Sequence, residues 1–280
     1  MNRLRARESA FFKMINLAVT GLAHFIHQGL HDQLEPVRVA RAGYALLASG
    51  CSVKGNFPGQ LLASYLVVAQ RQDGGWSDIE ETLWCLGFLS YFEDRFQEET
   101  SKGKHWLALN QLSCGAWGKT NRDQPRIPIT ALATVLVPGV IDKMSLEWLD
   151  NQWESDLGSP IQLSYKGAFF IVSQKHSEAS SNSDLINRTI NYLVGEQSDD
   201  GGYGPWKDHP AGSDPWSTGI ILWGLSTLED QAPKRTIERA ASWLESTQLS
   251  NGLWPYHYID DGSAIALIGL GKSLPILMER

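Results

Sequence analysis

Apolar positions along this chain recur at helical spacing and do not alternate for long anywhere. From about Glu8 to Leu30, Phe11, Phe12, Ile15, Leu17, Leu22 and Ile26 stand among polar residues and predict a first helix. Pro36 interrupts it, and Val37 to Gly50 predicts a second helix stopped by glycine. Phe57 to Gln70 and Glu80 to Tyr91 predict the next pair, and the charged run from Glu93 to Lys104 reads as a solvated connector. His105 to Lys119 then reads as a helix running into Gln111, Gly115 and Trp117, with another restarting near Thr130. Ser145 to Trp153 and Ser164 to Gln174 follow as a weaker pair.

Between the helices of a pair the chain repeats a turn. It reads QRQDGGW at Gln70 to Trp76, NQLSCGAW at Gln111, Gly115 and Trp117, EQSDDGGYGPW at Gln197, Gly201, Gly202 and Trp206, and TQLSNGLW at Gln248, Gly252 and Trp254. In the first of these the glycines end one helix, Asp78 is a candidate cap for the next, and Glu80 and Glu81 fall in its first turn, where the positive end of the macrodipole favours acids. Aligning the small residue that opens each second helix puts Ala40, Thr82, Thr130, Ser164, Thr218 and Ser263 in one column, at intervals of roughly 34 to 54 residues, the signature of a helical repeat. The second helices carry few charges and are apolar nearly all round, as a helix buried on both sides must be. An open solenoid needs a polar cap on its last repeat. Here IALIGLGKSLPIL is apolar to its end, so the pattern favours a closed ring of six inner and six outer helices in one domain, residues 1–280.

Composition narrows the function classes. A net charge of -7 and a pI near 5.5, with no basic stripe, argue against nucleic acid as a partner. Cys51, Cys85 and Cys114 are odd in number and widely spaced, which gives neither a disulfide framework nor a metal cluster and fits a reducing, cytoplasmic setting. The basic start is followed by an apolar run diluted by Lys13, Asn16 and Thr20, without a clear cleavage site, so no signal peptide is expected. No stretch reads as approaching the ~18 to 20 apolar residues of a membrane span. Peripheral membrane contact and a homo- or hetero-oligomer stay open.

The Gln-to-Gly-x-Trp turns, with the small-residue helices STGIILWGL and GSAIALIGL that follow them, resemble the QW repeats of the terpene cyclase and protein prenyltransferase superfamily. The resemblance implies an all-α fold, a single (α/α)6 toroid of six helical hairpin repeats. It also brings three chemistries to test. A prenyltransferase zinc site needs Asp-x-Cys and a His on successive inner helices. The matching stretches carry Trp216 in place of the Cys and Gly262 in place of the His. The thioester segment of other toroids is absent from the sequence. Class II terpene cyclases, including the squalene-hopene type, carry Asp-x-Asp-Asp-Thr at an inner-helix start, and Asp78-Ile79-Glu80-Glu81-Thr82 is similar to it. The resemblance then implies Glu80 as the proton donor, with Asp78 and Glu81 as partners, no metal and no cofactor, and an isoprenoid or isoprenoid-bearing substrate. Glu is one methylene longer than Asp at both positions.

That chemistry is physically coherent. Protonating an alkene needs a carboxyl held neutral, which crowded like charges favour, and the cation that results needs aromatic faces and exclusion of water. Trp84, Phe88, Trp216 and Trp223 on the inner helices are the candidate faces. If the inner helices run parallel, their N-termini gather Asp78, Glu80, Glu81, Arg126, Asp214, His257, Asp260 and Asp261 at one end, where any site is expected. His209 beside Asp208 is a further acid/base candidate, and Arg122, Arg126 and Lys119 are candidates for binding a diphosphate. Bland readings stand beside these: Asp78 and Asp214 as helix caps, the repeated Gln and Trp as structural ties. The alternative functions are a toroid binding a peptide or other apolar ligand, and an (α/α)6 carbohydrate enzyme with Asp78 or Glu80 opposed to Asp214 or Asp261 across about 5 to 10 Å.

Overall fold

The computed structural model describes residues 2–50, 58–174, 183–228 and 231–279, with side chains from residue 10 onward. Cys51, and Phe57 at the start of the third sequence-predicted helix, lie outside the described residues. The helices run in chain order α1 (Asn2–His31), α2 (Pro36–Ala48), α3 (Gly59–Val68), α4 (Ile79–Leu89), α5 (Gln97–Leu109), α6 (Ile127–Leu136), α7 (Lys143–Asp156), α8 (Ser164–Gln174), α9 (Ser183–Gly195), α10 (Pro215–Ser226), α11 (Lys234–Thr247) and α12 (Ile259–Met278). No strand occurs among the described residues.

Every second helix stands in an inner ring. α2 packs on α4, α4 on α6, α6 on α8, α8 on α10, α10 on α12, and α12 returns to α2, while the intervening helices pack outside them. The inner helices bury most of their residues: in α10 every residue but Trp216 is buried, and in α4 every residue but Glu80. Outer helices bury one stripe instead, as Thr236, Ile237, Ala240, Ala241 and Leu244 do in α11.

The repeated turns explain the order. In each, the Gln amide donates to a carbonyl four residues on and to the next outer helix or the loop preceding it: Gln70 to Gly74 and Glu99, Gln111 to Gly115 and Ser145, Gln197 to Gly201 and Thr236, Gln248 to Gly252 and Met14. The aromatic residue donates through its ring to the end of the preceding outer helix, Trp76 to Leu66 and Trp254 to Leu244, and through its backbone N–H to the column hydroxyl, Thr82 and Ser263. In the third of these turns that residue is Tyr203, which donates to Leu193 and, through its N–H, to Thr218. Trp206, the residue that the sequence pattern selects, is 44% exposed. The last turn grips α1, so the chain's end is tied to its beginning.

Three expectations are corrected. The charged connector belongs largely to α5, whose buried face is only Thr100, Gly103 and Leu107, too small to register as apolar periodicity. The helix predicted to run from His105 into the Gln111 turn is the C-terminal part of this same α5, which ends at Leu109, and Gly115, at φ 84°, lies in the turn that follows. Two helices, Ala10–His31 and Ile259–Met278, are long and apolar enough to cross a membrane by length and composition. α12 is apolar because it packs against α10, α2, α11 and α1, which bury most of it.

Candidate active site

The first turn of α4 separates the three acids. Asp78 is the N-cap, accepting from the Glu81 N–H at 2.8 Å, and Glu81 accepts from the Ser77 N–H at 3.0 Å, a reciprocal cap that satisfies two donors. Glu81 is buried in that role. Residues one apart on a helix point about 100° from each other, so Glu80 is turned away from the cap. It is the only residue of α4 left unburied.

What Glu80 meets comes from α2. Arg41 Nη2 lies 3.2 Å from Glu80 Oε1, its other terminal nitrogen pairs with Asp261, and its guanidinium sits 5.4 Å from the centre of the Trp84 ring. One turn earlier, Arg38 donates to both oxygens of Asp260, at 2.9 and 2.5 Å. Sequence reasoning passed over both arginines. The signal was present: two basic residues in the first turns of an apolar helix oppose the macrodipole and require acidic partners elsewhere. Around Glu80, three carboxylates (Asp78, Glu80 and Asp261) share two cations, Arg41 and Lys119, the latter 3.7 Å from Asp78. Burial raises the Glu80 carboxyl above its ordinary value, against Arg41 and Lys119 and with the help of Asp78 and Asp261.

Glu80 forms part of a wall between two spaces. On one side is a cavity of about 610 Å³ at the N-terminal mouth of the ring, which Trp84, Leu132, Tyr165, Phe169, Trp216 and Ile265 line with apolar surface. Trp216 is held edge-on to Tyr165, ring centres 5.8 Å apart, and tilted to Phe169 at 6.0 Å. The indole Nε1 of Trp84 is buried with no hydrogen-bond partner among the described residues. Across the cavity from α4, the loop before α6 and helices α7 and α8 supply Arg126, Gln152, Asp156 and Lys166. On the other side of Glu80 is a polar cleft of about 370 Å³, formed with Glu35, Ser77, Asp78 and Lys119. Glu80 and Arg41 line both.

No family model matches the chain, and no curated protein matches it in sequence. Solved structures do match. The type II terpene cyclase MstE from Scytonema superposes with a TM-score of 0.80 at 14% identity, over 96% of this chain and 99% of the other. The chain has the terpene-cyclase toroid fold. MstE is also known with its substrate, geranylgeranyl dihydroxybenzoate, in a variant that matches at a TM-score of 0.75 and 14% identity over 97% and 99% of the two chains. The ent-copalyl diphosphate synthase from Streptomyces platensis matches at 0.60 and 16% identity, with 85% of this chain aligned to 50% of that one. A family 88 glycosyl hydrolase from Bacteroides vulgatus matches at 0.65 and 11% identity over 96% and 99%, so the toroid by itself does not select a reaction.

Within this toroid, Glu80, Trp84, Trp216 and Arg126 come together on one cavity, and the remaining candidates do not join them. Phe88 lies two turns below Glu80 on the same stripe, about 12 Å deeper, and is fully buried against Gly43, where a Cβ would stand 2.6 Å from its ring. Trp223, about 10 Å down α10 from Trp216, lines a separate cavity of about 830 Å³ with Ser49 and Ser226 at the opposite end of the ring. Asp214 caps α10, accepting from the Ser217 N–H and hydroxyl, each at 2.7 Å. Burial raises its carboxyl, against those bonds. His257 is exposed between the rings of Tyr256 and Tyr258, at 4.1 and 5.1 Å. Asp260 is tied to Arg38. Arg126 pairs with Asp123 at 2.7 Å, and His209 packs edge-on to Trp206. Asp261 shares Arg41 with Glu80, so these two acids flank one guanidinium and do not oppose each other across the cavity.

Proposed function

We propose that this protein is a terpene-cyclase-like enzyme that starts cyclisation of an isoprenoid-bearing substrate by proton transfer from Glu80, without a metal. The observation that carries the reading is the singular placement of Glu80: the one unburied residue of α4, its carboxyl raised, set between an aromatic cavity and a polar cleft. A cavity of about 610 Å³ is of the size that encloses a small-molecule ligand. MstE is a type II terpene cyclase of nearly the same length, which supports a complete site on one toroid.

Each residue has a part in the step. With three carboxylates on two cations the cluster has one negative charge in excess, and a proton taken up on Glu80 relieves it. Glu80 gives that proton to the terminal alkene carbon. The π pair forms the new C–H bond, the neighbouring carbon becomes a cation, and the next double bond attacks it to close a ring. The Trp84 and Trp216 faces, with Phe169 and Tyr165 behind them, stabilise positive charge and exclude water. Loss of a proton from the last cation makes the reaction an isomerisation, and Glu80 recovers its proton from the polar cleft.

A glycoside-type acid/base reading rests on Asp156, which lines the same cavity as Glu80. Asp156 is engaged by Lys166 and Gln152, each at 2.8 Å, and the aromatic wall between the two acids favours the isoprenoid reading. The test is purified protein incubated with prenylated hydroxybenzoates, prenyl diphosphates and linear polyprene epoxides, with products read by mass spectrometry. Wild type is expected to give a product of unchanged mass and altered retention, and Glu80→Gln none. Because the acid works protonated, the rate should fall as pH rises through the raised Glu80 value. A product that persists in Glu80→Gln sinks the assignment.

A further inference from the structure

We propose that Ile220 and Trp223 of α10 form a floor that fixes the length of hydrocarbon the active cavity accepts, and that a second chamber lies directly beneath that floor. The inference rests on the cyclase reading for the class of hydrocarbon, and on the two cavities alone for the length limit.

The lumen of the ring holds two spaces that nearly meet. On α6 the cavity beside Glu80 is lined as far down as Leu132, and the cavity of about 830 Å³ at the opposite mouth begins at Val135. On α8 the same step runs from Phe169 to Val172. Three residues of helix rise about 4.5 Å, so on that wall one layer of side chains parts the two spaces. Two glycines show which side chains of α10 reach into it. Gly219 faces α12, where a Cβ would stand 2.6 Å from the Ile265 carbonyl oxygen, and Gly224 faces α8, where it would stand 2.8 Å from that of Ala168. At about 100° per residue, Trp216, Ile220 and Trp223 all point near the middle of the arc between those contacts, toward the lumen. Trp216 lines the upper cavity, Trp223 the lower one, and Ile220, fully buried, fills the turn between them.

The floor limits length because it is close-packed. A chain whose reacting end touches Glu80 gains affinity for each carbon the cavity can enclose, about fourfold per methylene. Beyond that capacity a carbon must either stay in water at the mouth or push buried side chains off their packing, and the gain stops. The chamber below would accept hydrocarbon if the floor were removed. Trp223, Val135 and Val172 give it apolar surface next to the partition. Its hydroxyls are engaged by the protein itself: Ser226 pairs with Ser273 at 2.8 Å, Ser49 donates to the Leu46 carbonyl at 3.0 Å, and Thr227 donates to the Trp223 carbonyl at 2.9 Å. A hydrocarbon chain entering the chamber therefore leaves no hydroxyl stranded.

The test measures binding in the Glu80→Gln background, where no turnover consumes the ligand. Radiolabelled geraniol, farnesol, geranylgeraniol and geranylfarnesol are followed by equilibrium dialysis, a readout that does not depend on the tryptophans. Affinity should rise at least about tenfold with each isoprene unit up to a limiting length and then stay flat or fall. The paired variant Ile220→Ala/Trp223→Ala should move that limit at least one isoprene unit longer, and adding Val172→Phe, which fills the chamber from below, should move it back. Folding is checked by circular dichroism. Where the paired variant is unfolded, Leu132→Phe decides alone: it fills existing space above the floor and should shorten the limit. No binding of any isoprenol, affinity that climbs through the whole series in the parent, or a limit that stays put in the folded variants overturns the proposal. An extension that survives Val172→Phe overturns it too, because the added length then lies elsewhere. A clear limit with no cyclised product from the wild type leaves the floor standing and removes the cyclase reading. Cyclised products from substrates of every length do the reverse.

Discussion

Ring closure brings the last repeated turn against the backbone of α1 at Gly252, and a matched pair of substitutions measures what that close approach is worth. Gly252 has φ +85° in the last repeated turn, and a Cβ there would fall inside the van der Waals distance of the Leu17 carbonyl oxygen in α1. Gly158 has the same φ, and a Cβ there would meet nothing within 4 Å. Alanine at either position incurs the strain of a left-handed backbone, about 1 to 2 kcal/mol. At Gly252 it must also push α1 away from the turn, and because the obstacle is helix backbone no side chain can yield. Overpacking of that kind adds about 1 to 3 kcal/mol. Gly252→Ala should therefore destabilise by roughly 2 to 5 kcal/mol and Gly158→Ala by only the first part. The displaced α1 also loosens the Gln248 contact with Met14, now 3.0 Å. Urea unfolding reads the difference, and hydrogen exchange localises it: amides of α1 should lose protection in Gly252→Ala alone. Equal destabilisation by the two variants, with α1 protection unchanged, would refute the claim that this turn clamps the ends of the chain.

Two further variants test the repeat and the site. Thr82 accepts from the Trp76 N–H at 3.0 Å and donates to the Asp78 carbonyl at 2.8 Å, so Thr82→Val leaves a buried N–H unpaired. It should lose about 1 to 3 kcal/mol in urea unfolding while Thr82→Ser stays near wild type; equal losses would show packing to be what matters. Asp214→Asn keeps the cap, since Asn serves there as well as Asp. The raised carboxyl contributes stability below the ordinary aspartate value of 3.8 and loses it as pH rises through the folded value. The variant should therefore gain on wild type across that rise and hold its advantage above it. A difference independent of pH would remove burial as the cause.

The inner ring was legible because its helices are apolar all round, and because the residue opening four of them makes a repeated bond. Of the six residues aligned in one column, Thr82, Thr130, Thr218 and Ser263 are the hydroxyls that accept from the aromatic N–H of the four repeated turns, while Ser164 donates to the Gly204 and Pro205 carbonyls and Ala40 has no hydroxyl. α5 was hidden because a helix that buries Thr100, Gly103 and Leu107 leaves no apolar trace. Tyr203 was hidden behind Trp206 because the pattern asked for Trp, while the fold asks for an aromatic donor six residues after the Gln, which a phenol hydroxyl supplies. Phe88 and Trp223 were candidates because they are aromatic residues on inner helices. Helical rise separates them from it, since a stripe that begins at the mouth of a ring passes below that mouth within two turns.

The candidate acid shows most plainly where sequence reasoning stops. Three carboxylates within four positions read as one functional group, yet helix geometry gives them separate duties: Asp78 caps, Glu81 closes the cap from a buried position, and Glu80 alone reaches the cavity. Whether that carboxyl holds a proton depends on charges that the cluster does not contain. Arg41 is brought to Glu80 by the packing of α2 on α4, and Asp261 to Arg41 by the return of α12 to α2. The parallel pair Arg38–Asp260 spans 222 positions of sequence. The count of three acids against two cations therefore exists only in the closed ring. Opening the ring at α12 would leave Arg41 to Glu80 alone and lower its carboxyl, so the acid strength proposed for this site depends on the same closure that holds the fold together.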